Sequence, residues 1–518
     1  MAKTQTSAEG PAVRAGMRRA RVAVPALNGR GIVVDAEPVR AADAVPGAEK
    51  LGIAAILLVG AALRMWGLRS FPLDQDELYT VMEGRDLFHV ALAPGIHARP
   101  LYFLLQHVML SLFPATEGWL RLVPFVAGVA GIWAVWVLAR RVFGGAAGLV
   151  AAVLVAVAPW HLHESGFARY WSVLFLLSAL FQRALWEAYG RERMRGFVAA
   201  LVPLALGSAT HPSFAFPAAG AALGVTLVRA DGRFGWRWPS RLAWMGLWMP
   251  YLALIAAGWA ALRLGGHSGA LQNWGGRGWL STLRLVPAVA EWLSPAMCVA
   301  GLLGAAAALA SGDAGRRRWG AMAACGVAAT LSGMMIAAFR TDVYADYATA
   351  MLPLVFVSAG GLVQMGVERM ASGRALAAWA ATAVLCAAVL PATVSHISSG
   401  TRYDYRPAFA YLRAHAAGAR VLTWPRVVAD RYAAGLNVRE MRHDPAFLER
   451  ELAAAGDVWV VSSVQRYGMV DDDEGLVSRW LAHRCTEEAA FERPRWDYRI
   501  YRVVVHHCVR TPGAPPRP

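Results

Sequence analysis

From Leu51 onward the chain runs in long apolar stretches separated by short polar turns, and this rhythm persists to about residue 394. A helix that crosses a bilayer needs about 20 mostly apolar residues. Eleven stretches approach that length: 51–68, 119–139, 146–162, 170–188, 197–210, 213–228, 241–262, 290–310, 320–338, 348–366 and 375–394. Pro203, Pro212 and Pro217 leave 197–210 and 213–228 open to being one broken span or two. The stretch 100–113 falls between Pro100 and Pro114 and is too short to span, so it reads as an interfacial helix. After residue 395 the pattern changes. Helical segments at 407–416, 426–434 and 445–455 alternate with β-branched runs at 419–424, 457–462 and 498–506, which predicts a small α/β layer structure. Residues 1–48 contain no apolar run and read as a flexible tail, not a signal peptide.

Charge sharpens this division. Residues 395–518 carry 18 Arg and 15 Asp or Glu, an ordinary content for a soluble domain, whereas the 394 residues before them hold only 53 charged side chains. The fold class is therefore a polytopic α-helical membrane protein of about eleven spans with a small C-terminal α/β domain. A single soluble globule and a disordered chain are excluded. The net charge of +16 comes almost wholly from Arg, since Lys3 and Lys50 are the only lysines. Its clusters lie between apolar runs, at the tail, Arg140–Arg141, 191–195, 229–241, 316–318 and 369–374, all on one side if 100–113 does not span. The positive-inside rule then makes that side cytoplasmic and places 69–118, 163–169, 211–212, 263–289, 339–347 and 395–518 outside. The charge is a topology signal, and no nucleic-acid partner is expected. Cys298, Cys325 and Cys386 sit in apolar runs, while Cys485 and Cys508 share the C-terminal domain and could pair in an oxidising compartment.

Acidic residues are scarce before residue 395, yet Asp74, Asp76, Glu77, Glu83 and Asp86 crowd into 13 residues of the first outer loop. Asp74-Gln75-Asp76-Glu77 fits a helix capping box, which accounts for Asp74 and offers a structural role for Glu77. It leaves Asp76 without a capping task. On such a helix Asp76, Tyr79 or Thr80, and Glu83 share a face, although Glu83 and Asp86 read most simply as solvated. Other outer segments hold His97-Ala98-Arg99-Pro100-Leu101-Tyr102, His161-Leu162-His163-Glu164, Arg169-Tyr170-Trp171, His211 and Asp346-Tyr347. Arg169 alone could be a headgroup anchor. His161 and His163 face apart on a helix, which argues against a shared metal. An acid beside several cations suits a chemistry in which the acid activates a hydroxyl or amine and the cations hold a phosphate.

The order of these motifs carries a resemblance. One span is followed by Asp76-Glu77 and Tyr79, then His97-x-Arg99-Pro100-Leu101-Tyr102, then Arg140-Arg141 with Phe143-Gly144, then Pro159-x-His161 through Ser165 to Ala168-Arg169-Tyr170. This resembles the GT-C fold glycosyltransferases that use polyprenyl-phosphate sugars, and is most similar to bacterial relatives of protein O-mannosyltransferases and of the lipid A aminoarabinose transferase. The resemblance is clearest over about residues 50–215. It implies a domain at 49–394 that moves a sugar from a polyprenyl-phosphate donor to a lipid, glycan or protein acceptor, with inversion, at the periplasmic face of a bacterial inner membrane. The implied catalytic residues are Asp76, as the base, and Glu77. Arg169 would hold the leaving phosphate, and Arg99, His97, Tyr102, Tyr170, His163, His211 and Tyr347 are the further substrate-binding candidates. No obligatory cofactor is expected, and a divalent metal has no support in the pattern. The chain departs from the family at Phe167, where many relatives carry an acid two residues before the Arg, and at Asp346-Tyr347, where Arg-Tyr is frequent. The alternative is a transporter or flippase for polyprenyl-linked saccharides, which would place ionisable groups deep in paired, broken spans.

Overall fold

The structure, a computed structural model, describes residues 21–24, 32–35, 45–85, 99–229, 231–236, 238–264, 283, 285–339, 343–370, 372–400, 402–465, 468–469, 472, 475–494 and 500–510. His97 and Asp86 lie outside the described residues. The chain forms two compact units, 1–52 and 53–518. In the first, β1 (Arg21–Val24) pairs antiparallel with β2 (Ile32–Asp35).

The second unit is mostly helical. Among its described residues and the start of its first helix, five helices are long and apolar enough to cross a membrane: Gly47–Ser70, Leu122–Phe143, Ala314–Ala338, Ala345–Glu368 and Arg374–Ser399. The number rises to seven if each of two bent pairs is one span. Both bends occur at proline. Gly145–Val157 turns by 65° into Pro159–Ser165, and Leu285–Leu293 turns by 96° into Pro295–Leu309, because a proline ring displaces the carbonyl four residues back and cannot donate. The stretches 197–210 and 213–228 become two helices, Met194–Thr210 and Ala215–Thr226, parted at His211-Pro212. The helices pack closely through small residues. A methyl group on Gly304 would strike the Ser358 carbonyl of the neighbouring helix.

Arg64, buried in the first span, closes the first of these bends. Its guanidinium donates to the carbonyls of Val155 (3.1 Å) and Ala156 (3.1 Å), which the break at Pro159 leaves without helical partners. It also reaches Ser165 Oγ (3.1 Å) and His161 Nδ1 (2.6 Å). His161 is therefore a packing partner of Arg64.

At the C-terminal end the expected alternation folds as a six-stranded mixed sheet. β3 (Arg420–Thr423), β4 (Asn437–Glu440) and β5 (Asp457–Gln465) are parallel. β6 (Gly468–Met469), β7 (Cys485–Pro494) and β8 (Ile500–Val509) add antiparallel, giving the order β4-β3-β5-β8-β7 with β6 beside β5. Helices Arg406–His415, Arg426–Tyr432, Pro445–Ala455 and Leu476–Arg484 cover it. The layer does not stand apart. Its core residues Tyr405, Phe409, Val421 and Val505 form one cluster with Leu73, Leu78, Leu120 and Ala168 of the helical part. Cys485 and Cys508 form a disulfide between β7 and β8.

Candidate active site

The centre of the site is the short helix Gln75–Arg85 in the loop after the first span. The sequence starts it as anticipated. Asp74 Oδ1 accepts the Asp76 amide (3.1 Å), and Glu77 Oε2 accepts the Asp74 amide in return (3.1 Å), a reciprocal capping box. Burial pushes the Asp74 carboxyl up to about 7, and the neighbouring Asp76 charge adds to the rise.

Glu77 is fully buried and ties four segments together. Arg121, at the start of the second span, donates from Nε to Oε1 (2.8 Å) and from Nη2 to Oε2 (2.7 Å). The Ala168 amide donates to Oε1 (2.7 Å), and Arg402 Nη1 to both oxygens (3.3 and 3.5 Å). Burial alone would raise this carboxyl, but Arg121 and Arg402 outweigh it and hold Glu77 down at about 2. Arg121 further caps the carbonyls of Leu68, Phe71 and Pro72, which leave the first span. Arg402 holds the carbonyls of Gly166 and His163 in the next loop. A carboxylate with this many donors is a junction, with no lone pair left to receive a substrate proton.

One residue earlier, Asp76 has a different setting. Its side chain is 46% exposed and stands 3.5 Å from Arg169 Nη2. Arg169 Nη1 donates to Thr80 Oγ1 (3.3 Å), whose own hydroxyl donates to the Asp76 carbonyl (3.1 Å). Burial works against the charge on Arg169, but Asp76, Tyr170 and Glu83 more than restore it and raise its pKa above the ordinary arginine value. Glu83 corrects the reading of a solvated acid. It lies two helical turns beyond Asp76, is partly buried, and burial raises its carboxyl despite the opposing charges of Arg169 and Arg99.

Around this pair stands a wall of aromatic rings. Tyr170 stacks on His211 (centroids 4.9 Å, 16° between planes) and meets Tyr102 edge-on (5.9 Å). Tyr347 lies against His211 (4.9 Å) and Trp171 (5.6 Å). The guanidinium groups of Arg99 and Arg169 sit 4.9 Å and 5.5 Å from the Tyr170 ring centre, within cation–π reach. The Ser213 amide donates to His211 Nδ1 (3.1 Å), so the proton of a neutral His211 ring is carried on Nε2.

The structure thus gathers Asp76, Arg169, Arg99, Tyr102, Tyr170, His211 and Tyr347 from five separate segments. His163 lies elsewhere, against Phe167, Trp292 and His396. Sequence reasoning missed Arg121 and Arg402, and noted Trp171 only as a neighbour of Arg169-Tyr170. A lone Arg between Leu120 and Leu122 is a visible signal for the first; nothing local marks the second. Among the described residues, no three His, Cys, Asp or Glu side chains cluster so as to hold a metal ion.

Residues 96–259 match the family model described as dolichyl-phosphate-mannose-protein mannosyltransferase. The fold is similar to that of ArnT from Cupriavidus metallidurans in the apo state, with 14% identity, 89% of this chain and 98% of that one covered, and a TM-score of 0.51. It is similar to the same protein bound to undecaprenyl phosphate, with 15% identity, 91% and 100% coverage, and a TM-score of 0.50. The oligosaccharyltransferase of Archaeoglobus fulgidus in complex with zinc and sulfate matches at 14% identity, 79% and 67% coverage, and a TM-score of 0.45. No curated protein sequence matches the chain. The chain is a multi-pass membrane protein whose fold is similar to that of ArnT, with a stretch at 96–259 similar to the mannosyltransferase family.

Proposed function

We propose that the protein is a glycosyltransferase that moves a sugar from a polyprenyl phosphate to a lipid, glycan or protein acceptor. The observation that carries this reading is the partly exposed Asp76 carboxylate 3.5 Å from a largely buried, firmly charged Arg169, beside an aromatic wall. The acceptor hydroxyl or amine attacks the anomeric carbon and gives its proton to Asp76, while the bond from that carbon to the phosphate oxygen breaks. The sugar passes through an oxocarbenium-like state, and one displacement inverts the anomeric centre. The leaving polyprenyl phosphate needs cations rather than an acid, and Arg169 supplies them, with Arg99 and the His211 Nε2 proton as further donors. Tyr347, partly exposed, offers a face on which a sugar ring packs, and the buried Tyr102, Tyr170 and Trp171 back that wall. Glu77 leaves the catalytic role expected from sequence and becomes the positioning group for its neighbours. The undecaprenyl phosphate named with the ArnT structure supports a donor of this class.

The same reading keeps the eleven-span topology. The shorter apolar helices Pro100–Leu112, Met194–Thr210 and Arg241–Ala257 then supply interfacial and crossing segments, and the Asp76 face and the sheet lie on the periplasmic side of a bacterial inner membrane. The Cys485–Cys508 disulfide favours an oxidising compartment for the sheet. A transporter would line a path with ionisable groups, but Arg64, buried in the first span, is fully engaged by carbonyls, Ser165 and His161. The deciding assay incubates purified protein with radiolabelled polyprenyl-phosphate sugars. Transfer by the wild type and a loss of about 10²–10⁴-fold in Asp76→Asn is the expected result, and near-normal transfer by that variant sinks the assignment.

A further inference from the structure

A second feature lies apart from the Asp76 face. A cavity of about 200 Å³ opens where two membrane helices end together. Trp66 and Ser70 come from the last turn of the first span, and Ile397, Ser398 and Ser399 from the last turn of the helix Arg374–Ser399. Arg402, Asp404, Arg406 and Arg493 complete its lining. None of the residues of the proposed reaction is among them.

The charges of this cavity are arranged, not scattered. Asp404 is buried and holds two guanidinium groups in place. It accepts from Arg406 Nε and Nη2 (2.9 Å each) and from Arg493 Nη2 (2.9 Å). Both arginines remain open to solvent, Arg406 with 50% and Arg493 with 40% of its side chain exposed. Arg402 also lines the cavity; it is 3% exposed, and its Nε has no hydrogen-bond partner although both Nη atoms are engaged. Even with Arg402 counted wholly against Glu77, two cations face one carboxylate. A buried N–H without a partner and two fixed guanidinium forks call for an oxygen-rich anion, and a phosphate suits that geometry better than a single carboxylate.

The location selects the source of the phosphate. The cavity sits at the ends of apolar helices, where the bilayer meets water, and Trp66 is 68% exposed there, as expected of an interfacial aromatic. Leu390 and Val394 are exposed on the last span, two turns and one turn before Ile397 and Ser398, so apolar surface continues from the cavity along the same helical face. We propose that this cavity binds the phosphate headgroup of a membrane lipid, with the acyl or prenyl chains lying along that face. The site is independent of the reaction proposed above and stands or falls separately from it.

Native mass spectrometry of the detergent-solubilised full chain tests it. The probes are dioleoyl phosphatidic acid, dioleoylglycerol, which has the same chains without phosphate, and inorganic phosphate. The phosphatidic acid should bind at least about tenfold more tightly than dioleoylglycerol, the ratio expected from one charge-assisted hydrogen bond. The double variant Arg406→Gln/Arg493→Gln should remove that preference. Because those substitutions also strip Asp404 of its partners, Ser398→Asp provides a second variant that adds repulsion while leaving the ion pairs intact, and it should weaken phosphatidic acid several-fold. Equal binding of the two lipids overturns the proposal, as does an unchanged preference in both variants. Tight binding of inorganic phosphate without any preference between the lipids overturns the lipid source.

Discussion

Glu77 and Arg402 are 325 residues apart in the chain and meet as a buried ion pair at 3.3 Å. The pair fixes the entry to the C-terminal layer against the loop helix that carries Asp76. Through the Ala168 amide and the Gly166 carbonyl it also fixes the loop that carries Arg169. The two groups assigned to the reaction are thus positioned by one carboxylate that takes no part in it.

Glu77→Gln should therefore fail by unfolding. It leaves Arg121 and Arg402 buried without their counter-ion, a loss of about 3–5 kcal/mol. Thermal melting in detergent should show a clear drop for Glu77→Gln and for Arg402→Gln. The double variant should cost less than the sum of the two, with a coupling of about 0.5–3 kcal/mol. Strict additivity would mean that the pair contributes nothing.

Asp76→Asn should behave in the opposite way. The side chain is 46% exposed, so melting should be close to wild type, while transfer falls by about 10²–10⁴-fold, the range for loss of a general base. Equal losses of stability and activity would place Asp76 in the structural group with Glu77.

For Arg169 the charge and the shape can be separated. Arg169→Ala should lower kcat/KM for the donor by about 10²–10³-fold, as removal of one preorganised donor typically does. Arg169→Lys keeps the charge but loses the planar fork and should fall between. Varying acceptor concentration should leave the defect in place; a defect cured by excess acceptor would move Arg169 to the acceptor site.

The capping box gives a pH profile of stability with two limbs. Glu77 is depressed from its ordinary 4.5 to about 2, so its contribution is complete above about pH 4.5 and is lost as pH falls towards 2. Asp74 is raised from 3.8 to about 7, so the folded state holds that proton more tightly than the unfolded chain. Its contribution is present below pH 3.8 and disappears as pH rises through about 7. Melting temperatures should rise through the acid limb and decline towards neutrality. Asp74→Asn should flatten the second limb alone; an unaltered decline would place its origin in another group.

Reduction should loosen the sheet. The disulfide joins residues 23 apart in sequence, and closing a loop of that size is worth about 3 kcal/mol. Reductant should lower the melting temperature and expose two additional thiols to a maleimide reagent. Reaction of both thiols before reduction would show that the bridge does not form.

Several features are legible in the order of residues alone. The low charge content identifies a membrane protein, because burying charges in hydrocarbon is too costly over twenty-residue runs. The acid-rich 74–86 segment locates the loop helix, since a capping box is a contact between residues three apart. Asp76, Arg169, Tyr170, His211 and Tyr347 stand out as polar or aromatic groups at the ends of apolar runs, and tertiary folding brings them together. The division of labour between Asp76 and Glu77 is not legible in the same way. They are adjacent, chemically alike and equally placed in the motif. Which one is buried depends on Arg121, Ala168 and Arg402, whose distances along the chain carry no local signal. The breaks at Pro159 and Pro295 are marked by proline, but whether each pair makes one bent span or two separate helices depends on packing. Sequence by itself determined the class, the layering and the candidate chemistry, because these follow from hydrophobic period and local hydrogen bonding. Only the tertiary structure decided which charges are neutralised inside and which remain open to a substrate, because that depends on partners supplied by distant segments.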